Sequence, residues 1–388
     1  MRGMRINDRI RMATFLQNAG LGSVFVFMPV IARDVSASIL ETGVIIASFS
    51  LAQILSELYF GRASDRRGGR LPFIRGGFAA CSVAFGLHYL AGDPAVLLGA
   101  RIAAGAAYGV MAPAILAYAY EAGAEKRKVA SVVSFHALGW LAGIMAAGLT
   151  NDTHLIFLVS SGMFAAGLAV SMRLPAAEVA REGGRGAMRR IISENRYLFL
   201  SLLMRHVGAA SVWTVLPLMI TEQLGGQLHH ISIVYISNTA TAFAVMTLMA
   251  SRIRIPHIAK FKIGVGLTTL VFVGLLFARE WWHAMPFMAL VGATWAFLYI
   301  GGNFHLMERN PKSTSTGIFS STISIATVAG PLAAGLIASA HGYGAVLYFA
   351  IAVIVAAFGV SLLAPYRRAG WPGAGRGAAR GGGSGGGA

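Results

Sequence analysis

Long apolar segments recur along the chain and constrain its fold more than any other feature. A helix needs roughly 20 apolar residues to cross a bilayer, and we predict twelve such spans. Their limits are 11–32, 40–60, 72–91, 94–119, 129–150, 154–173, 197–220, 229–250, 260–278, 284–306, 314–339 and 344–364. Only 12% of the 388 residues are charged, against about 25% in soluble domains. The sequence argues against a soluble enzyme or scaffold and predicts an all-α protein in a lipid bilayer.

Basic residues are concentrated on one side of the predicted membrane. Of the 32 Lys and Arg residues, 28 fall on the side of the N-terminus, and the opposite loops hold only Arg33 and Arg279. The remaining two, Arg101 and Arg205, fall within spans. Because basic loops are retained in the cytoplasm, we predict a multi-pass protein of the plasma (inner) membrane with both termini cytoplasmic. The net charge of +17 then reflects orientation in the membrane, and we predict no nucleic-acid partner.

The longest connection between spans follows the sixth of them and divides the chain into two sets of six. We predict an N-terminal six-helix bundle over 1–173, a cytoplasmic central loop over 174–194 and a C-terminal six-helix bundle over 195–366. The remaining residues, 367–388, are rich in Gly and Arg. Such a composition cannot bury a core, so we predict that this tail is disordered.

The first and seventh spans share a spaced pattern. With a shift of 188 residues, four pairs are identical: Gly20 and Gly208, Ser23 and Ser211, Val24 and Val212, Pro29 and Pro217. The polar pair Gln17–Asn18 falls on Arg205–His206. Parallel repeats related by an axis along the membrane normal are a transporter architecture, with the binding site between the halves. The repeat therefore predicts two pseudo-symmetric bundles.

The loop between the second and third spans reads GRASDRRGGR. It resembles the signature loop of the major facilitator superfamily (MFS) of secondary transporters at Gly61, Asp65, Arg66, Gly68 and Arg70. It departs from that pattern at Ala63 and Gly69. Twelve spans, a six-plus-six division and cytoplasmic termini are also the family plan. The resemblance implies alternating access of two halves, with this loop holding the halves together in the outward-open state. A plain basic anchor at the membrane surface is the alternative interpretation.

Small residues at helical spacing mark three further spans. They are Gly105 and Gly109 in span four, Gly139 and Gly143 in span five, and Gly330, Pro331 and Gly335 in span eleven. Close helix packing, with a kink at the proline, is the interpretation we favour for spans five and eleven. In span four, Arg101 and these glycines resemble a family motif, which implies that Arg101 belongs to the central pathway. The alternative is a structural arginine. Trp140 replaces the proline of the family's antiporter motif, which weakens an antiporter assignment.

Polar side chains within the spans are the candidates for the substrate pathway and for coupling. They are Gln17, Asn18, Arg101, His136, Arg205, His206, Trp213, Asn238 and Asn303. Arg205 lies about 12 Å into span seven at a rise of about 1.5 Å per residue, and it is our first candidate for a substrate contact. Snorkelling to the surface is its alternative. Each of the others can equally form a hydrogen bond between helices or pack.

The charges within the spans bear on the substrate. Two arginines lie deep within spans, whereas the acid nearest to a span interior, Glu57, falls near the predicted cytoplasmic end. This balance favours a neutral or anionic small molecule. If protons are the coupling ion, His136, His206 or Glu57 must titrate. The chain contains no phosphate-binding Walker loop, and its histidines lack the spacing of a metal site, so we predict neither cofactor nor metal.

These observations predict a secondary transporter of small organic molecules, with no enzyme activity. Efflux of a drug or metabolite is the leading hypothesis. Proton-coupled uptake of an organic anion is the alternative, and a non-transporting receptor or a membrane-embedded enzyme are the lesser ones. An enzyme would need a central acid–base or metal cluster, and the sequence does not indicate one. We expect a monomer.

Overall fold

Helices form nearly all of the part of the chain that the computed structural model describes. That part comprises residues 6–36, 38–67, 69–122, 126–150, 152–176, 187–251, 253, 255–308, 310 and 312–365. The helices are α1 (Ile6–Phe25), α2 (Met28–Val35), α3 (Ile39–Arg67), α4 (Leu71–Leu87), α5 (Pro94–Ala122), α6 (Lys126–Thr150), α7 (Thr153–Ser171), α8 (Ala187–Glu194), α9 (Arg196–Glu222), α10 (Leu228–Ser251), α11 (His257–Leu275), α12 (Ala284–Met307) and α13 (Lys312–Leu362). Single 3₁₀ turns precede α5 and α12. The all-α class is as predicted.

Nine helices within these residues are long and apolar enough to cross a bilayer. A tenth crossing is the pair α1 and α2, bent by 41°, and α6 contributes a shorter apolar stretch, Phe135–Thr150. The 51 residues of α13 exceed the ~30 Å of a hydrocarbon core more than twofold at a rise of about 1.5 Å per residue. Its backbone turns at Gly342, where φ is 76°, a conformation that favours glycine. The turn divides α13 into two arms.

Short connections place the helix ends on two opposite faces. We call the face at which α1 begins, α7 ends and α9 begins the terminal face. The face at which α2 and α9 end and α13 turns at Gly342 is the loop face. The short helix α8 lies at the terminal face, where we expected only a loop. Its Ile191 is buried, while Arg189 and Arg190 are exposed, so one apolar side holds it against the bundle. The tail 367–388 lies outside the described residues.

The helices pack in two groups. Helices α1 to α7 pack mainly on one another, with α1 against α6 and α7, and α5 against α3 and α4. Helices α9 to α13 form the second group, in which α9 lies against α13 and α12 lies against α10 and α11. Three helix pairs join the groups: α3 with α13, α6 with α10 and, over a smaller area, α2 with α9.

The apolar cores show where the groups meet. One large core continues through both groups and includes Ile144 of α6 and Ile231 of α10, near the loop face. A separate core belongs to the second group alone, where Leu198, Phe319 and Ala364 pack toward the terminal face. The groups therefore share buried apolar surface at the loop face and have separate cores at the terminal face.

Glycines permit the close approach at the loop face. A Cβ atom at Gly43 of α3 would lie 2.5 Å from the carbonyl oxygen of Pro331 of α13. A Cβ atom at Gly335 would lie 3.0 Å from the Cα of Leu40. On the second pair of helices, a Cβ atom at Gly148 would lie 2.5 Å from that of Ser232. Any larger residue would separate the helices, because these neighbours are backbone or short side chains.

Candidate functional site

Polar contacts close the space between the groups at the loop face. Glu222, the last residue of α9, lies 3.8 Å from Arg33 of α2, measured from Oε1 to Nε. Its Oε2 accepts a 2.8 Å hydrogen bond from the hydroxyl of Tyr343, which follows the turn at Gly342. The Ser232 hydroxyl donates to the carbonyl oxygen of Ile144 across the α6–α10 contact, at 3.3 Å. Glu222 thus joins α9 and the second arm of α13 to α2 of the first group.

Solvent reaches the inner side of α6 below this closure. Met145 and Leu149, with 47% and 85% of their surface exposed, mark the outer side of the helix. His136 precedes Met145 by nine residues, which is two and a half turns and places it on the opposite side. The His136 side chain is exposed there although protein surrounds it closely. From this exposure we infer a space between the groups on the inner side of α6.

One acid of α3, Glu57, lies on the inner side of the helix. Glu57 follows the outward-facing Leu55, which is 62% exposed, by about 200° of helix rotation. Its Oε1 accepts a 2.7 Å hydrogen bond from Nε2 of Gln53, one turn earlier, and both side chains are partly exposed. The sequence predicts Glu57 near the end of its span, as one of three groups that could couple protons but not among the substrate-pathway residues. The four-residue spacing of Gln53 and Glu57, which lets side chains meet on one helix face, is the signal that could have included it.

Amides of α1 link the first group together around the cavity. Nε2 of Gln17 donates to the hydroxyl of Tyr108 on α5 at 3.2 Å. Oδ1 of Asn18 accepts a 3.2 Å hydrogen bond from the indole Nε1 of Trp140 on α6, and its Nδ2 donates to the carbonyl oxygen of Thr14. Gln17 and Asn18 are buried. The adjacent amides therefore orient side chains of two different helices.

The second group presents aromatic rings where the first presents amides. His206 and Trp213 are seven residues apart and share one side of α9. The ring of His206 lies 5.3 Å from that of Trp295 on α12, and the ring of Trp213 lies 6.3 Å from that of Tyr235 on α10. Trp295 is nine residues from the outward-facing Phe304, so it lies on the inner side of α12.

Two arginines are buried within the groups. Arg101 lies over the ring of Phe49, with Cζ 4.4 Å from the ring centroid. Arg205 is 1% exposed; its Nε donates to the hydroxyl of Thr268 on α11 at 3.2 Å, and its Nη1 lies 3.4 Å from Nδ1 of His206. Nη2 of Arg205 has no hydrogen-bond partner among the described residues. Arg205 is thus directed into its own group, and a substrate contact stays a prediction.

The remaining pathway candidates lie on α10 and α12. Asn238 is partly exposed. Asn303 is buried and donates from Nδ2 to the carbonyl oxygen of Tyr299 at 3.3 Å, whereas its Oδ1 has no partner in the described part of the chain.

The predicted packing residues lie at helix contacts. Gly105 and Gly109 face the backbone of α3, Gly139 and Gly143 face that of α1, and Gly330 faces Ala210 of α9. Pro331 and Gly335 meet α3 across the two groups.

The signature loop is described only in part. A Cβ atom at Gly61 would lie 3.9 Å from Cβ of Pro113, and Nη1 of Arg70 donates to the hydroxyl of Ser64 at 3.0 Å. Gly68 and the side chains of Asp65 and Arg66 lie outside the described residues. The role of this loop in holding the halves together remains a prediction.

Comparison with known proteins decides the family. The model of the Major Facilitator Superfamily matches residues 12–315. The chain belongs to this superfamily. As an MFS protein it is a secondary transporter of small molecules in a lipid membrane, not an enzyme.

Solved structures share the MFS fold at low sequence identity. A point variant of the nucleoside transporter NupG has a TM-score of 0.75 at 12% identity, covering 93% of this chain and all of its own. Another NupG structure has a TM-score of 0.72 at 14% identity, covering 94% and 100%. The human organic anion transporter MFSD10 (TETRAN) has a TM-score of 0.71 at 15% identity, covering 92% and 99%. A comparison with curated proteins gave no match. These likenesses show the fold and leave the substrate open.

Proposed function

We propose that this MFS protein exports a small neutral or anionic organic molecule by alternating access. The observation that carries the proposal is a polar interior, reached by solvent at His136 and Glu57, beneath a closed loop face. The distribution of Lys and Arg supports a cytoplasmic terminal face. With that orientation, the exposure of His136 and Glu57 beneath the closed loop face supports a conformation open to the cytoplasm, the state that would load a substrate for efflux.

The electrostatics of the interior support the substrate class. Arg101 and Arg205 are buried, whereas Glu57 is an acid on an inner helix side. An excess of cation in a poorly hydrated interior attracts anions and disfavours cations. Two solved neighbours are named as nucleoside transporters and one as an organic anion transporter, and both classes agree with this balance.

Uptake of an organic anion with protons is the second candidate. It is favoured by the solvent contact of His136 and Glu57, since both side chains can exchange protons with the open face. Uptake and efflux use the same two conformations, so only the response to an imposed gradient separates them.

Transport in proteoliposomes tests both candidates. A panel of radiolabelled neutral and anionic compounds is added with and without a pH gradient of either sign. Efflux driven by protons predicts accumulation in inverted vesicles that are acidic inside, and symport predicts accumulation in right-side-out vesicles that are acidic outside. His136→Gln should reduce the gradient response, whereas His154→Gln, on the exposed loop face, should leave it unchanged. If no compound in the panel shows counterflow, transport of this substrate class is contradicted.

A further inference from the structure

We propose that the transported molecule contains a planar ring, which stacks on the inner aromatic side chains of α9, α10 and α12. This proposal rests on the proposed transport function and specifies its substrate. We call the set of His206, Trp213, Tyr235 and Trp295 the aromatic wall.

The aromatic wall follows the length of the cavity. His206 and Trp213 are about 10 Å apart along α9 at a rise of about 1.5 Å per residue. Each has a ring partner from another helix, Trp295 for His206 and Tyr235 for Trp213. The rings of Trp213 and Trp295 are partly exposed. Trp295 lies on the inner side of α12, and Trp213 also contacts Phe272 of α11, with ring centroids 5.7 Å apart. Partly exposed indoles can take a further aromatic contact in addition to these ring partners.

Helix register places two rings directly beneath the loop-face closure. Ser232 of α10 and Ile144 of α6 form the hydrogen bond that joins the groups there. Tyr235 is one turn from Ser232 toward the terminal face, and Trp140 is one turn from Ile144 in the same direction. A ring that enters from the terminal face therefore reaches Trp140 on one side and the aromatic wall on the other.

Tyr235 supplies a vacant polar group at this level. The residue is 6% exposed, and its hydroxyl has no hydrogen-bond partner among the described residues. Buried polar atoms in proteins are almost always paired, with protein, water or ligand. Tyr235 is nine residues from Ala244, which is exposed on the outer side of α10, so its ring is directed inward. A polar substituent of the bound ring would be the partner that this buried hydroxyl lacks.

The opposite side of the cavity suits the rest of such a molecule. Gln53 and Glu57 provide amide and carboxylate groups on α3. A molecule with a ring at one edge and hydrogen-bonding groups at the other would satisfy both sides together. A flexible aliphatic molecule would use neither the exposed indole faces nor the directional hydroxyl.

Matched pairs of planar and saturated compounds test this proposal. The probes are benzoate with cyclohexanecarboxylate, benzamide with cyclohexanecarboxamide, and uracil with dihydrouracil. Binding to the full chain in detergent is measured by calorimetry, and uptake is measured in proteoliposomes. We expect at least one planar probe to bind tenfold or more tightly than its saturated partner. No binding by any planar probe, or equal binding within every pair, would overturn the proposal.

Variants of the aromatic wall locate the contact. Trp213→Leu and Trp295→Leu should each reduce the preference for the planar probe to twofold or less. Two variants are used so that the test still stands if one of them fails to fold. Tyr235→Phe keeps the ring but removes the hydroxyl, and it should weaken binding of the planar probe several-fold. Trp282→Leu, on the exposed loop face, is the matched control and should change nothing. Unaltered preference in both tryptophan variants would overturn the proposal.

The failure of this proposal is distinguishable from failure of the proposed function. Counterflow of a saturated compound, with no planar preference, would retain transport and reject the ring. Absence of counterflow for every compound would reject both.

Discussion

Single side chains decide what the interior can bind. Arg205 holds Thr268 through Nε and leaves Nη2 without a partner in the described part of the chain. A guanidinium with a free N–H can bind a carboxylate, whereas an ammonium lacks its planar fork. Arg205 is therefore both a structural link to α11 and a potential anion contact, and substitution separates these roles.

We expect Arg205→Ala to reduce transport of an anionic substrate more than Arg205→Lys does, because Lys keeps the charge and loses only the fork. Truncation of a buried, charged hydrogen-bonding group costs about 1–3 kcal/mol, which corresponds to a loss of roughly 5- to 150-fold. Initial uptake rates in proteoliposomes measure the effect. Arg196→Ala, exposed at the start of α9, is the control. Normal transport by both Arg205 variants would assign the residue a purely structural role.

Glu57 is placed to exchange a proton with the open face. We expect Glu57→Gln to abolish the response to an imposed pH gradient, because an amide cannot titrate, and to preserve counterflow exchange, because the hydrogen bond with Gln53 is retained. Uptake with and without the gradient measures the first effect, and isotope exchange measures the second. Glu194→Gln, exposed at the end of α8, should behave as the native chain. A gradient response that survives in Glu57→Gln would assign proton coupling to another group.

At the scale of helices, close packing depends on glycine at defined positions. A Cβ atom at Gly143 of α6 would press on the backbone of Ala19 and approach the amide of Ser23 within 2.9 Å. A Cβ atom added to Gly162 of α7 would have no neighbour within 4 Å among the described residues. Both residues are helical, so replacement by Ala changes helix propensity equally and leaves packing as the difference.

We expect Gly143→Ala to lower the free energy of unfolding by about 1–3 kcal/mol, the usual cost of overpacking. Gly162→Ala should be neutral or stabilising, by up to about 1 kcal/mol from helix propensity. Thermal unfolding of both variants in the same detergent provides the comparison. Equal melting temperatures would show that α1 and α6 adjust without cost.

Apolar length and small-residue spacing were sufficient to predict the helices and the glycines that lie at their contacts. Neither signal predicts pairings across the molecule. Glu222 lies at the end of a span, where polar residues are common and give no functional signal. Only the fold brings it to Arg33 and Tyr343. The helix α8 was also missed, because its eight residues are mostly polar and lie within a basic segment. The sequence predicts that Arg205 lies in the interior. Its direction toward α11 depends on helix packing, which cannot be predicted from one sequence.

At the scale of the whole molecule, Glu222 connects the two groups at the closed face. Partly exposed ion pairs of this kind contribute about 0–1 kcal/mol, so loss of the pair should shift the population of the two states by no more than about fivefold. We expect Glu222→Gln to favour opening of the loop face, because the amide keeps an acceptor for Tyr343 and loses the attraction to Arg33.

Thiol labelling measures this shift. The chain has one cysteine, Cys81, which is buried, so a new cysteine gives a distinct signal. Ile144→Cys lies at the closure and should react faster with a membrane-impermeant reagent from the loop face when Glu222→Gln is present. Glu280→Gln on the same face is the control. An unchanged labelling rate would mean that the apolar contact alone keeps this face closed.

The apolar core shared by the two groups gives the closure a characteristic temperature dependence. Opening the loop face hydrates surface around Ile144 and Ile231, and exposure of apolar surface carries a positive heat-capacity change. Hydrophobic contacts weaken on cooling. A charged contact, such as the one predicted for the Gly61–Arg70 loop at the terminal face, does not lose stability on cooling in the same way. Chilling the substrate-free protein should therefore open the loop face, and the two conformations of the transport cycle would differ in heat capacity as well as in shape.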